Sequence, residues 1–132
     1  MKLKKFTRDD VHRRKAERCM LHITAKGKLT FSREASSALN IGEASRIYVH
    51  QDEERPIDWY IEVTSDKEGI ECKRNASTGV LGFQCAFLAQ EILKSIGKSA
   101  VKSIRLPVSH VPTEGKLYAI ITKAAQEYSS MY

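Results

Sequence analysis

The stretch LHITAKGKLTFSREASSALNIGEASRIYV, residues Leu21–Val49, opens with apolar residues at every second position on both sides of a glycine. Leu21 and Ile23 precede Gly27, and Phe31 continues the alternation after it. This period of two is typical of half-buried strands. A glycine between two such runs supplies the backbone conformation of a tight turn. The pattern therefore predicts a β-hairpin.

A short helix and a third strand are predicted to follow the hairpin. Ser32 is a favourable N-cap for a helix over residues 33–39. Asn40 and Gly42 favour the end of this helix, since both residue types tolerate left-handed backbone. Residues 47–49 are β-branched or aromatic, which favours a strand. The stretch thus predicts the order strand, strand, helix, strand.

The rest of the chain predicts more short strands and one clear helix. Leu88, Ile92 and Ile96 recur every four residues along a helix over residues 87–96. The predicted strands cover residues 19–24, 29–31, 47–49, 59–64, 70–74, 80–85, 104–108 and 117–122. They indicate an α+β fold with a mostly antiparallel, barrel-like sheet. A polar tail with helical character is predicted over residues 123–132.

The whole chain, residues 1–132, is expected to form a single domain whose first 20 residues are a basic arm. Thr7 is a suitable cap for a short helix over residues 7–18. The arm holds eight Lys or Arg against three Asp or Glu, so it carries +5 of the net charge of +6. Such a segment attracts polyanions, but a basic helix that only keeps a protein soluble has the same pattern. Both interpretations stay open.

Metal, cofactor and catalytic patterns are not found in the sequence. The three cysteines stand far apart without a CxxC pair, and the four histidines are isolated from one another. Neither a phosphate-binding P-loop nor a dinucleotide-binding glycine pattern occurs. No secretion signal or long apolar run is seen, so a cytoplasmic location away from membranes is expected. No enzymatic activity, metal or cofactor is predicted.

The run that begins at Gly27 resembles the AbrB family of swapped-hairpin DNA-binding regulators and antitoxins. That family has a glycine and a basic residue, alternating aliphatic residues, a charged helix that ends in leucine-glycine-isoleucine, and a further strand. The matching residues here are Gly27, Lys28, Leu29, Phe31, Glu34, Leu39, Ile41 and Ile47. Ser32 stands where the family has proline, and Asn40 stands where it has glycine. The resemblance covers residues 21–49 only.

The resemblance implies a homodimer that interlocks two hairpins and binds DNA through basic residues on the dimer surface. The basic residues at matching positions are Lys26, Lys28, Arg33 and Arg46. The arm would add phosphate contacts, which position a protein on DNA without reading bases. These arm residues are Lys2, Lys4, Lys5, Arg13 and Arg14. The resulting prediction is a non-enzymatic, dimeric DNA-binding regulator.

Two other interpretations remain at this point. The chain can be a structural or protein-interaction domain with no nucleic-acid role. Pro107 has no N–H to donate, which is typical of an edge strand, so the strand Ile104–Val111 is a candidate site for a protein partner. The third interpretation is an enzyme whose site is assembled from scattered residues. A pocket with converging His, Asp or Glu side chains would favour it.

Overall fold

Two antiparallel sheets and two short α-helices form the described part of the chain. The computed structural model describes residues 1–5, 19–42, 45–98, 101–124 and 126–128. The predicted helix over residues 7–18, which includes Arg13 and Arg14, lies outside the described residues. The strands are β1 (Met20–Thr24), β2 (Lys28–Phe31), β3 (Arg46–Gln51), β4 (Trp59–Thr64), β5 (Ile70–Glu71), β6 (Lys73–Arg74), β7 (Leu81–Gln84), β8 (Ser103–Pro107), β9 (Leu117–Ile120) and β10 (Gln126–Tyr128). The helices are α1 (Arg33–Ala38), α2 (Ala86–Ser95) and a 3-10 turn (Thr122–Ala124).

The predicted hairpin lies in the middle of the larger sheet. The strand order of this six-stranded sheet, here called the first sheet, is β10-β8-β1-β2-β7-β6. Leu21 pairs with Phe31, and the backbone N–H of Gly27 donates to Thr24 O at 3.0 Å to close the turn. Gly27 has φ +105°, a conformation that side-chain-bearing residues rarely adopt. In this order β1 lies between β8 and β2, and β2 lies between β1 and β7. Both hairpin strands thus have a neighbouring strand from the same chain on each side.

The second sheet has four strands in the order β5-β3-β4-β9. The two sheets are linked on both sides. Cys72 separates β5 from β6, so one segment passes from the second sheet into the first. Val108, just beyond β8, forms an isolated bridge with Ile120 of β9. These links do not close the sheets into a regular barrel, but the predicted α+β class and antiparallel pairing are confirmed.

The core lies between the inner faces of the two sheets and is closed by α2. Ala89, Ile92 and Leu93 of α2 are fully buried. Trp59 of β4 is also buried, and its indole N–H donates to Ser95 Oγ at 2.8 Å. This bond satisfies the polar atom of a large aromatic side chain inside the core. Of the three residues whose period predicted this helix, Ile92 is fully buried, and Leu88 and Ile96 are partly buried against the core.

The prediction of an edge strand over Ile104–Val111 is wrong. β8 lies between β1 and β10, so both of its sides are paired. Pro107 ends the strand, and its carbonyl accepts from Ile121 N at 2.7 Å on the side away from β1. The missing N–H would point to that same side, so the proline costs no bond with β1. A proline at the last position of a strand is thus compatible with an inner strand.

The C-terminal tail also differs from its prediction. Helical character was predicted for residues 123–132. In the described part of this range, helix is limited to the end of the 3-10 turn Thr122–Ala124. The chain continues as β10, which pairs with β8 through Gln126 opposite Arg105. The tail is polar and lacks the alternation that identifies a half-buried strand, so its sequence gave no sign of this pairing.

Candidate functional site

The outer face of the first sheet gathers basic side chains from four strands. Arg105 of β8 lies opposite His22 of β1, and His22 lies opposite Thr30 of β2. The same row continues through Gly82 of β7 to Lys73 of β6. Lys28 lies two residues before Thr30 on β2, on the same side of the sheet. We call His22, Lys28, Lys73 and Arg105 the basic sheet face.

The charge of this face acts on the histidine near its centre. Burial lowers the pKa of the half-buried His22 imidazole below its ordinary value, and the positive charges of Arg105 and Lys28 lower it further. Arg105, Lys28 and Lys73 are exposed. Cations held close together repel one another, and an anion between them lowers their electrostatic energy. The face is therefore suited to a polyanion.

The shifted pKa of His22 gives a first test of this electrostatic arrangement. Replacing Arg105 by glutamine is expected to raise the pKa of His22 towards its ordinary value, because one neighbouring positive charge is removed. Burial remains, so the recovery is partial. NMR titration of the His22 ring protons measures the change. Lys116→Gln, in the loop before β9, is the control, and an unchanged pKa in Arg105→Gln would contradict the arrangement.

The same shift fixes the sign of a pH effect on stability. Folding lowers the pKa of His22, so as the pH falls below about 6.5 the unfolded chain takes up a proton before the folded chain does. The contribution of His22 to the free energy of unfolding is full above that pH. It is lost as the pH falls from there through the lowered pKa of the folded state.

A depression of about 430 Å³ lies beside the basic sheet face, bordered by β2, β7 and the β5–β6 segment. Gly82 lies within it, between Thr30 and Lys73. A Cβ atom at Gly82 would lie 2.5 Å from Leu29 O, so this position accepts no side chain without moving β2 or β7. The cations that line the depression are Lys28, Lys73 and Arg74, its apolar residues are Ile70, Val80 and Phe83, and its acidic residue is Glu71.

The basic residues predicted from the sequence lie in several separate places. Lys28 belongs to the basic sheet face, and Lys26 is exposed in the hairpin turn. Arg33 begins α1 and donates to Thr78 O at 2.8 Å. Arg46 lies on the second sheet, where it donates to Gly69 O at 3.1 Å. Three residues of the arm, Lys2, Lys4 and Lys5, are exposed in the described N-terminal segment.

His22, Lys73 and Arg105 were not predicted as members of a binding site. Each of them is next in sequence to a buried residue: Ile23, Cys72 or Ile104. The period-two alternation therefore places them on an outer face. It does not reveal that β8 lies beside β1 or that β6 lies beside β7, because these pairings join distant parts of the chain. The strand order was the missing information.

The outer face of the second sheet has a different character. His50 lies 2.9 Å from Glu62, and the Tyr48 hydroxyl donates to Asp66 at 2.6 Å. The bond to Asp66 raises the pKa of Tyr48 to about 12 and lowers that of Asp66. His22 and His50 lie in different sheets. These acidic partners make the second sheet a poorer surface for a polyanion.

Other kinds of site have little support in the described ranges. They contain no group of three or more His, Cys, Asp or Glu side chains that could hold a metal ion. None of the helices in these ranges is long and apolar enough to cross a membrane. Comparison with protein-family models found no match, and comparison with curated proteins and with solved structures found none either. The AbrB resemblance of residues 21–49 stays a prediction.

Proposed function

We propose that this chain is a non-enzymatic DNA-binding protein that holds the phosphate backbone on the basic sheet face. The observation that carries the proposal is that Arg105 and Lys28 flank His22 on one open face, on which Lys73 lies further along, on the edge strand β6. Phosphates accept charge-assisted hydrogen bonds from Lys and Arg, and these contacts release the counterions that surround DNA. The net charge of +6 adds a longer-range attraction.

A dimeric state and a cytoplasmic location belong to the same proposal, and the basic sheet face does not require either. Interlocking of the hairpin with a second copy would have to displace β7 or β8, since these strands already flank it. A dimer that leaves the first sheet intact would keep the DNA-binding face accessible. Two such faces in one dimer would contact DNA at two places and increase the apparent affinity.

The salt dependence of DNA binding tests the proposal. If Arg105, Lys28 and Lys73 each contact a phosphate, affinity for duplex DNA should fall about fortyfold between about 50 mM and about 200 mM salt. Additional contacts by the N-terminal lysines would make this fall steeper. Fluorescence anisotropy with a labelled oligonucleotide measures it. Absence of binding at the lower salt concentration would exclude the proposal and favour a protein-interaction domain.

A further inference from the structure

A second depression, with a volume of about 480 Å³, lies between α1 and the turn that precedes β7. On the side of the helix its lining is polar and consists of Arg33, Ser36, Ser37 and Asn40. These residues are three and four positions apart, which is the spacing of one face of a helix and its end. Ala35 and Leu39, on the other side of α1, are buried in the core. The helix therefore turns its apolar side inward and a polar side toward the depression.

The turn before β7 holds the guanidinium group of Arg33. Arg33 Nη2 donates to Thr78 O at 2.8 Å. Asn75 stiffens the turn, since its side-chain oxygen accepts from the backbone N–H groups of Ser77 and Thr78, at 2.8 Å and 3.1 Å. A guanidinium group carries five N–H donors, so Arg33 retains donors beyond its bond to the turn. A cation held in this way loses less side-chain entropy when it binds an anion.

Ser36, in the lining of this depression, has a hydroxyl group that lacks a partner. Its Oγ is a buried atom with no hydrogen bond to any of the described residues. Buried polar atoms of folded proteins are nearly always hydrogen-bonded, so this exception indicates a missing partner. The hydroxyl can donate, and rotation between staggered χ1 positions changes where it points. A ligand in the depression would supply the partner.

The described lining of this depression contains no Asp or Glu that would repel an anion. Glu34 follows Arg33 in sequence but is not part of the lining. It lies near Cys19 instead, where burial and the negative charge of Glu34 raise the pKa of the thiol. Arg74 lines the depression and donates to Gly79 O at 2.7 Å, and the site needs no further bond from this residue. The charge of the lining therefore favours an anionic ligand.

We infer that this depression binds the phosphate group of a small molecule. Phosphate oxygens accept charge-assisted hydrogen bonds from a guanidinium group, here that of Arg33. The hydroxyl groups of Ser36 and Ser37 and the amide of Asn40 are suitable donors to the remaining oxygens.

The size and the walls of the depression leave room for the carbon part of such a molecule. Small-molecule sites have volumes of about 300–1,000 Å³, and about 480 Å³ lies within this range. The apolar part of the lining consists of Ile41, Val80 and Leu81. The site shares no residue with the basic sheet face, so the inference goes beyond the proposed function and does not rest on it.

Titration with inorganic phosphate tests the site. Phosphate is added to the isotope-labelled protein, and NMR records the shifts of the backbone amide signals. We expect the largest shifts at the residues of the lining, namely Arg33, Ser36, Ser37, Asn40 and Gly79. Chloride at the same ionic strength is the control for screening. Equal shifts with chloride, or phosphate shifts that fall only on the basic sheet face, would overturn the site.

Two variants locate the contacts. Arg33→Gln removes the charged donors, so affinity for phosphate should fall about tenfold or more. Ser36→Ala removes one neutral donor, so the loss should be about threefold. Arg55→Gln, in the turn between β3 and β4, is the matched arginine control and should bind phosphate as tightly as the unaltered protein. Unchanged affinity in Arg33→Gln and Ser36→Ala, or an equal loss in Arg55→Gln, would overturn the site.

Ser37→Glu and Ser37→Gln test the charge of the site without relying on the fold of the Arg33 variant. Ser37 is exposed, so a longer side chain there does not disturb the core. The new carboxylate should abolish phosphate binding, whereas glutamine, with nearly the same shape and no charge, should retain more of it. Equal affinity in the two variants would overturn an anion site. Urea unfolding checks that both variants are folded.

A phosphate group in the depression can belong to a small molecule or to the DNA backbone, and a comparison of probes separates the two. The probes are glycerol phosphate, with glycerol as the control that lacks the phosphate, and duplex DNA. We expect Arg33→Gln to weaken the binding of glycerol phosphate and to leave the affinity for the duplex unchanged. Equal weakening of both would assign the phosphate to DNA and overturn the small-molecule ligand. Equal binding of glycerol and glycerol phosphate would overturn the phosphate site itself.

Discussion

Exchange of both Lys28 and Arg105 for glutamate is expected to abolish DNA binding and to leave the fold intact. The two side chains are exposed on the outer face of the first sheet, on either side of His22. Hydrogen bonds to charged groups contribute about 1.5–3 kcal/mol each. Loss of two of them, with repulsion added by the new carboxylates, should lower affinity a hundredfold or more, by about tenfold per 1.4 kcal/mol. Anisotropy titration at low salt measures the loss.

The control for this double variant is Lys67→Glu with Lys116→Glu. Both lysines are exposed in turns that flank strands of the second sheet, and their exchange lowers the net charge by the same amount. If binding depends on the basic sheet face, the control should retain most of its affinity. An equal loss in both double variants would show that only the overall charge matters. Circular dichroism and urea unfolding confirm that each variant is folded.

Replacement of Gly27 by alanine is expected to destabilise the protein by about 2–6 kcal/mol. A Cβ atom at this position would lie 2.5 Å from the Cα atom of Ala86, at the start of α2. Overpacking of this kind costs about 1–3 kcal/mol, and a side chain in an unfavourable backbone region adds about 1–3 kcal/mol. The sum is a large part of the 5–15 kcal/mol that is typical of a folded domain. The urea midpoint of unfolding measures it.

Gly115→Ala separates the two causes of this loss. Gly115 also has a positive φ, +56°, but no atom lies within 4 Å of the position that a Cβ would occupy. Its replacement should cost only about 1–2 kcal/mol, the usual penalty for left-handed backbone. A similar loss in the two variants would mean that the close approach of α2 to the hairpin turn contributes nothing.

This close approach also shows what the sequence could not predict about the hairpin. The turn at Gly27 follows from local signals, namely alternation on both sides of a glycine. Its second role, as the contact for α2, depends on a packing partner almost 60 residues away along the chain. The backbone N–H of Cys85 donates to Gly27 O at 2.8 Å, and the Gln90 side chain donates to Ala25 O at 2.7 Å. Bonds between such distant residues leave no periodic signal.

The candidate site also contains both residues that the sequence indicated and residues that only the strand pairing brings together. Lys28 was predicted from the AbrB resemblance, as a basic residue at one of its matching positions. Arg105 joins Lys28 only because β8 pairs with β1, and Lys73 only because the chain changes sheets at Cys72. The sequence predicted one strand over residues 70–74, since apolar residues at positions 70 and 72 alternate without interruption. The change of sheet alters which strands that segment pairs with, but it leaves the alternation of apolar residues in the segment unchanged.

The crossing at Cys72 has a consequence for the whole molecule. Its thiol is buried, which raises its pKa to about 11, and the strand segments on its two sides belong to different sheets. Loss of either sheet would expose this thiol and the core residues that the two sheets share, so we expect both sheets to unfold as one cooperative unit. A ligand that binds only one outer surface then raises the free energy of unfolding of this whole cooperative unit. The increase grows with the logarithm of the ligand concentration.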